Sequence, residues 1–406
     1  MNRTLTVLTV VLLLAFAGYF VGNRVVASKA SAEIERLAGP KLHELGITYS
    51  ELSVNPAGGT LTLTNVAFEE AYAEALTVGA DHKDLIALMS GETMFLNGLD
   101  VALKNARVSD NRGREGVEVG SAQLEVDALL DLELFKRNPE QFIERLFDQE
   151  NVHVAMEGTD LVIRTDDLTR DLGLDTESVR LSEWGLHADK DDLLYDVRMR
   201  ANAPALGRID LEARGTEHLL SYAKGSLSNV DLATDAGSLS LGNGTFEVIA
   251  PLPMKDPDDW SDAWFESMLA QGQTFNWAFN ASNLEIGSPE MVEMARQVGL
   301  SGGILNVQTL SHNASFGGNT FLADLKLRSN AGDADADVNV AMDDYRSLDN
   351  PESVHFNTLE LEFRNLLPFL SEQLRAMGTP LQPNGPNGFS FAFEGSAAEL
   401  EAAYDL

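Results

Sequence analysis

The residues best placed to do chemistry are the carboxylates of Asp333-Ala-Asp-Ala-Asp337-Val-Asn339. They fall at the first, third and fifth positions of a calcium-binding loop. Such a loop needs glycine at its sixth position and a bidentate glutamate at its twelfth. Here those positions hold Val338 and Asp344. The same stretch alternates Ala334, Ala336, Val338, Val340 and Met342 with polar residues, which is the period of a strand with one acidic face. A strand without metal is the expectation.

Other catalytic signals are weak. The histidines, His43, His82, His153, His187, His218, His312 and His355, show no local pair with zinc-ligand spacing. No phosphate-cradling glycine loop and no GxSxG elbow occurs, so nucleotide binding and nucleophile-elbow hydrolysis lose their usual marks. The absence of cysteine removes disulfides, thiolate metal sites and a thiol nucleophile together. Carboxylate pairs are too common to single out a glycosidase dyad. Asn280-Ala-Ser282 and Asn313-Ala-Ser315 match a glycosylation acceptor, which has no meaning in a bacterium lacking the machinery. No enzymatic activity and no cofactor are expected.

The aromatic stripes say more. Phe275, Trp277 and Phe279 share one face of a strand, as do Leu359, Leu361 and Phe363, and Phe389, Phe391 and Phe393. Alternating aromatics usually pack into a closed core. They can also line an apolar groove where a curved sheet lacks cover, and few helices are expected here to cover many strands.

The elements that would position these residues are mostly strands. Ile47–Val54, the turn Asn55–Gly59 and Thr60–Phe68 form a strand pair. Strand-like segments follow at Phe95–Lys104, Val117–Val126, Val152–Met156, Leu161–Arg164, Tyr195–Ala201, Ile209–Ala213, Gly225–Leu232 and Thr245–Ile249. Beyond them come Phe275–Phe279, Ile304–Thr309, Leu322–Leu327, Ala334–Met342, Thr358–Phe363 and Phe389–Phe393. Turn residues separate many of them, which argues for antiparallel sheet rather than βαβ units. Helices are expected over Ala27–Leu45, Asp81–Met89, Asp258–Leu269, Ser288–Gly299 and Leu366–Met377. Another opens at Asn138-Pro139-Glu140, with asparagine as N-cap and proline in the first turn. Phe279-Asn-Ala-Ser-Asn283-Leu284 and Phe363-Arg-Asn365-Leu366 each precede a helix, which hints at a repeat of roughly 80 residues.

One segment decides where all of this works. Leu5 to Gly22 is apolar and uncharged, between Arg3 and Arg24. As a helix rising about 1.5 Å per residue it nearly crosses a hydrocarbon core of roughly 30 Å. A cleaved signal peptide ending at Ala15-Phe16-Ala17 is the rival reading, but apolar character continues through Tyr19, Phe20 and Val21. A single uncleaved anchor in the bacterial inner membrane, with the body in the periplasm, is expected. The formal charge of -34 argues against nucleic acid or an anionic lipid surface as an electrostatic partner.

With anchor and short helix in place, Leu45-Gly-Ile-Thr-Tyr-Ser-Glu-Leu-Ser-Val54 and Gly59-Thr-Leu-Thr-Leu-Thr-Asn-Val66 resemble the opening of AsmA-like envelope proteins. The resemblance covers the first seventy residues or so. It implies an inner-membrane-anchored periplasmic β-protein, and for the larger members a bridge carrying phospholipid along an apolar groove. It carries over no catalytic residue. Anchored exported β-rich proteins of unknown function are a second similar group.

The expectation is thus a mainly β protein: a large elongated antiparallel sheet with a few short helices, preceded by one N-terminal transmembrane helix. Residues 1–29 form the anchor and its flank, 30–250 a β-rich region, and 251–406 a second β-rich region with two short helices, continuous with the first or separate. The body either binds or transfers lipid along an apolar β-groove, or serves as a closed-core interaction module for another envelope protein. A glycan hydrolase working through acidic residues ranks last. If the anchor is uncleaved, amino-terminal sequencing of the membrane-bound protein will begin at or near Met1. A start at Gly18 would show cleavage instead.

Overall fold

The structure, a computed structural model, describes residues 40, 42–43, 46–55, 59–81, 84, 95–109, 115–164, 178–204, 206–216, 219–234, 237–253, 272–287, 299–300, 304–343, 350–376 and 381–404. The anchor at 5–22 lies outside the described residues. So, wholly or mainly, do the helices expected over Ala27–Leu45, Asp81–Met89, Asp258–Leu269 and Ser288–Gly299. What is described is mainly β, in large antiparallel sheet with few short helices. The chain divides into two compact units, Met1–Pro204 and Ala205–Leu406.

Unit 1 is a meander. Strands β1 (Ile47–Thr48) and β2 (Glu51–Asn55) both pair with β3 (Thr60–Phe68). From β3 the order runs through β4 (Ala71–Gly79), β6 (Leu99–Ser109), β7 (Glu115–Asp127), β9 (Asn151–Ile163), β10 (Val179–Asp191) and β11 (Leu194–Ala203). A separate two-stranded pair joins β5 (Phe95–Leu96) to β8 (Leu130–Asp131). Helices α1 (Leu132–Arg137) and α2 (Pro139–Phe147) follow β8. Asp131 Oδ1 accepts from Leu134 N, and Asn138 Oδ1 accepts from Gln141 N, so each helix is capped by a short polar side chain. At the other end of α2, Lys190 Nζ donates to Phe147 O at 2.6 Å, a cation on a helix C-terminus. These elements bring Leu96, Leu130, Leu132 and Phe142, with Leu42 and Ile47, onto Leu63, Leu76, Val101 and Val126 of the sheet.

Unit 2 is a second meander. It runs β12 (Gly207–Gly215), β13 (Leu219–Thr234), β14 (Gly237–Pro253), β15 (Thr274–Gly287), β16 (Ile304–Gly317), β17 (Thr320–Ser329), β18 (Gly332–Met342) and β19 (Val354–Arg364). Then come β21 (Phe389–Ser396) and the short edge strand β20 (Gln382–Pro383). Helix α3 (Pro368–Ala376) follows β19, and α4 (Ala397–Tyr404) follows β21.

A local device recurs in both units. Asn65, Asn105 and Asp160, inside β3, β6 and β9, have φ of 47°, 46° and 51°, and Asn229 and Asn283, inside β13 and β15, have 57° and 52°. Asn and Asp are the side chains that tolerate this left-handed region best. Each such residue drops out of the ladder together with the one facing it. Thr64 pairs with Ala75 and Val66 with Ala73, leaving out Asn65 and Glu74. Likewise Leu241 pairs with Leu284 and Asn243 with Ser282, leaving out Gly242 and Asn283. The alternation then resumes one residue out of phase. Leu61 and Leu63 share a face with Val66 and Phe68, as Ala281 does with Leu284. Glycines face the crowded positions: a Cβ on Gly120 would stand 2.9 Å from Asp160 Cβ, and one on Gly242 3.1 Å from Asn283 Cβ.

Several sequence expectations need correction. Val152–Met156 and Leu161–Arg164 are one strand, β9, because the left-handed Asp160 breaks the alternation without ending the strand. Phe95–Lys104 is two elements, β5 and β6, parted at Asn97-Gly98. Strands β4 and β10, and helices α1 and α4, were not expected at all. The expected strand at Asp333–Asn339 is part of β18, and two of its carboxylates are engaged. Asp335 pairs with Arg328 (Nη1–Oδ1 2.7 Å) and with Arg364, while Asp333 accepts from Asn365 at 2.8 Å.

The hydrogen bond from the Arg328 guanidinium is the main reason the Asp335 carboxyl ionises below the usual carboxylate range, with the charges of Arg328 and Arg364 adding to it. A depressed folded pKa stabilises the fold above the unfolded value, and the gain disappears as pH falls through the folded one. Asp335→Asn should therefore cost about 1 kcal/mol at neutral pH, a partly exposed network being screened. The gap between parent and variant should close on acidification below the ordinary aspartate pKa. Calcium should leave the melting temperature of both unchanged; a rise of several degrees in the parent alone would restore a metal loop.

Candidate functional site

The nine residues singled out in sequence all stand on one face of unit 2. The register pairs Leu359 with Phe393, Leu361 with Phe391 and Phe363 with Phe389. The same rows run back through Val338, Ala336 and Ala334 of β18, and on through β17 and β16 to Trp277, Phe279 and Ala281. Phe275 heads the next row, with Phe316, Phe321 and Val340. In an antiparallel sheet all members of such a row point the same way.

Burial along this face is graded. Phe389 is 2 % exposed and Phe391 8 %. Leu366 is buried close by, and Arg375 of α3 stands over the Phe389 ring at 5.5 Å. Phe363, Leu361, Leu359 and Phe393 are half-buried, as are Phe275 and Trp277. Trp277 sits 5.1 Å from Phe275 and 6.2 Å from Phe321, ring to ring. Its Nε1 donates to His312 Nε2 at 3.1 Å, which leaves His312 Nδ1 to carry a proton and donate to Asp324 O at 3.2 Å. Toward β12 the face opens. Phe279 and Phe246 are each 42 % exposed, and Leu211 and Leu227 are exposed with them. The Phe246 ring lies flat on the sheet, since a Cβ on the facing Gly225 would come within 2.1 Å of it.

Unit 1 repeats the pattern in a place the aromatic search did not reach. Its apolar face is roofed over β3 to β7 and opens at Met156, Leu186 and Met199, which form a single row on β9, β10 and β11. Alanines at 71, 73 and 106 leave a hollow of about 190 Å³ between Phe68, Leu76, Leu103, Val117 and Val119. The hollow is almost purely apolar. Its sequence signal is faint because alanine is as common in helices as in strands.

The opposite faces are polar. On unit 1, His153 Nδ1 lies 2.5 Å from Asp189 Oδ1, and His187 Nε2 2.9 Å from Glu157 Oε1. Asp81, Asp84, Asp100, Glu125 and Asp127 line an acidic hollow in which Asp84 Oδ2 accepts from Asn97 N and Nδ2, both at 2.8 Å. Among the described residues no three histidine or carboxylate groups converge as metal ligands. His82 and His218 lie outside the described residues.

Comparison with protein-family models, curated proteins and solved structures finds no match to this chain. The chemistry of its own faces is therefore what carries a functional reading.

Charge substitutions separate the closed part of the unit 2 face from the open part. Phe391→Glu buries an unpaired carboxylate and should cost several kcal/mol. Phe279→Glu meets water and should cost less than about 1 kcal/mol. Equal losses in thermal unfolding would mean that the two positions share one environment.

Proposed function

We propose that this chain is a non-enzymatic protein of the bacterial inner membrane, anchored through residues 5–22 with its body in the periplasm, that holds phospholipid acyl chains against its apolar sheet faces. The observation behind it is the graded burial of those faces. Each is continuous and apolar, closed beneath helices at one side and lined at the other by exposed Phe246 and Phe279, or by Met156, Leu186 and Met199. Exposed apolar area of this kind commonly marks a binding surface. The pattern-level resemblance of the first seventy residues to AsmA-like proteins agrees with this reading. A closed-core module that binds another envelope protein is the second reading, and the burial of Phe389 and Phe391 favours it for that end of unit 2.

Mass spectrometry of lipid co-purifying with the full chain tests the proposal. Lipid held by the anchor is common to every variant. The double variant Phe246→Glu, Phe279→Glu should retain less phospholipid per chain than the parent, with its melting temperature nearly unchanged. Equal lipid content would favour the interaction module.

A further inference from the structure

Within the apolar face of unit 1, one indole lacks what the other described tryptophan has. Trp184 lies across Gly158, where a Cβ would come within 2.4 Å of Cζ2 and 2.5 Å of Cε2. Its Nε1–H is shielded from solvent, and among the described residues no acceptor reaches it. Trp277 meets the same need internally, through His312. A buried donor without an acceptor is costly, and polar groups that persist so are commonly completed by something outside the chain.

The surroundings define that missing acceptor. Register places Trp184 in the row Leu103–Ala122–Gly158–Trp184–Ala201, beside the exposed row of Met156, Leu186 and Met199. Small residues continue the lane toward the hollow at Ala106 and Ala73. From β4 to β10 is four strand spacings, about 19 Å, the reach of a long acyl chain. The two methionines are unbranched and exposed, able to rotate aside for a guest. Arg180, Arg198 and Arg200, the arginines of β10 and β11, alternate onto the other face by register. Lys190, the one cation of β10 on this face by register, lies six residues along and is engaged with Phe147 O. A carboxylate beside Trp184 would therefore be desolvated with no free cation next to it, which favours a neutral acceptor.

We propose that Trp184 Nε1 donates to the ester carbonyl of a phospholipid whose acyl chain lies along this lane into the hollow at Ala73 and Ala106. The inference rests on the acyl-binding reading above and adds the site and the chemical group recognised.

The test compares two brominated phosphatidylcholines, one ester-linked and one ether-linked, titrated against the purified full chain, with bound lipid counted by mass spectrometry in parent and variant and tryptophan quenching followed in the parent. The ester form should bind about fivefold more tightly, the worth of one hydrogen bond. Trp184→Phe keeps a ring over Gly158 and should bind both lipids equally, at the ether affinity. Equal binding of the two lipids to the parent overturns the Trp184 assignment and leaves the acyl reading standing. No quenching beyond that by a bromine-free lipid overturns both. An ester preference that survives in Trp184→Phe assigns the carbonyl to another donor and overturns the proposal. Should that variant fail to fold, the indole ¹H–¹⁵N resonances of the parent decide: one moves downfield with ester lipid alone, or the assignment is wrong.

Discussion

The constraint on which the structure depends is that one face of each broad meander must stay apolar across a line where the pairing breaks. Strict two-residue alternation would turn Val66 and Phe68 outward once Leu61 and Leu63 are inward. The left-handed turn at Asn65, matched by the loss of Glu74 from the ladder, shifts the phase by one and keeps all four inward. The same correction at Asn105 and Asp160 carries it across unit 1, and at Asn229 and Asn283 across part of unit 2. Because neighbouring strands slip together, the line costs few ladder bonds. A slip in a single strand would expose that strand's whole apolar set. The facing glycines make room, and polar contacts such as Asn65 Nδ2 to Ser50 Oγ and Tyr72 OH to Asn65 Oδ1 hold the line in place.

A continuous apolar face creates a second problem, which is cover. Burying apolar surface is worth roughly 25 cal/mol per Å², so a face of this breadth favours a roof wherever one can be built. In unit 1 the roof is α1, α2 and the small β5–β8 pair, fixed by caps at Asp131 and Asn138 and by Lys190 on the end of α2. In unit 2, α3 lies near Phe389. Among the described residues neither roof reaches every strand. Where it stops, large side chains lie flat over glycine, Trp184 on Gly158 and Phe246 on Gly225. This hides part of the ring and smooths the floor, so the open part of each face is a shallow lane with few crevices.

Much of this was legible in the sequence, and the failures have causes. Strands with clean alternation of apolar and polar residues, such as Thr358–Phe363 and Ala334–Met342, read correctly because period two has no helical counterpart. The alternating stripes marked one face on each of three strands, and it is the register, not the sequence, that brings those three faces together. The cap at Asn138 read correctly because its chemistry is local. β4 went unread because Ala71, Ala73 and Ala75 carry no clear period, and β9 was cut in two because a phase slip looks like an end. The hollow of unit 1 went unread for a different reason. A site made by the absence of side chains, at alanines and glycines from separate strands, has no motif.

The distribution of function follows from the same physics. Acidic and basic side chains lie on the outer faces, where pairs such as Arg328 with Asp335 and Lys104 with Glu74 neutralise one another across neighbouring strands. The inner faces carry little charge; among their polar groups, Trp277 and His312 are paired with each other, Lys190 is bonded to Phe147 O, and Trp184 Nε1 is left unpaired. A surface so arranged has almost nothing with which to orient a polar substrate for reaction, and ample area with which to shelter an apolar one. Specificity on such a face must come from shape and from the few donors left unmet. That is why the unpaired indole of Trp184 weighs more than the many carboxylates of the outer faces: a buried N–H in an apolar lane has a partner only when a guest brings one.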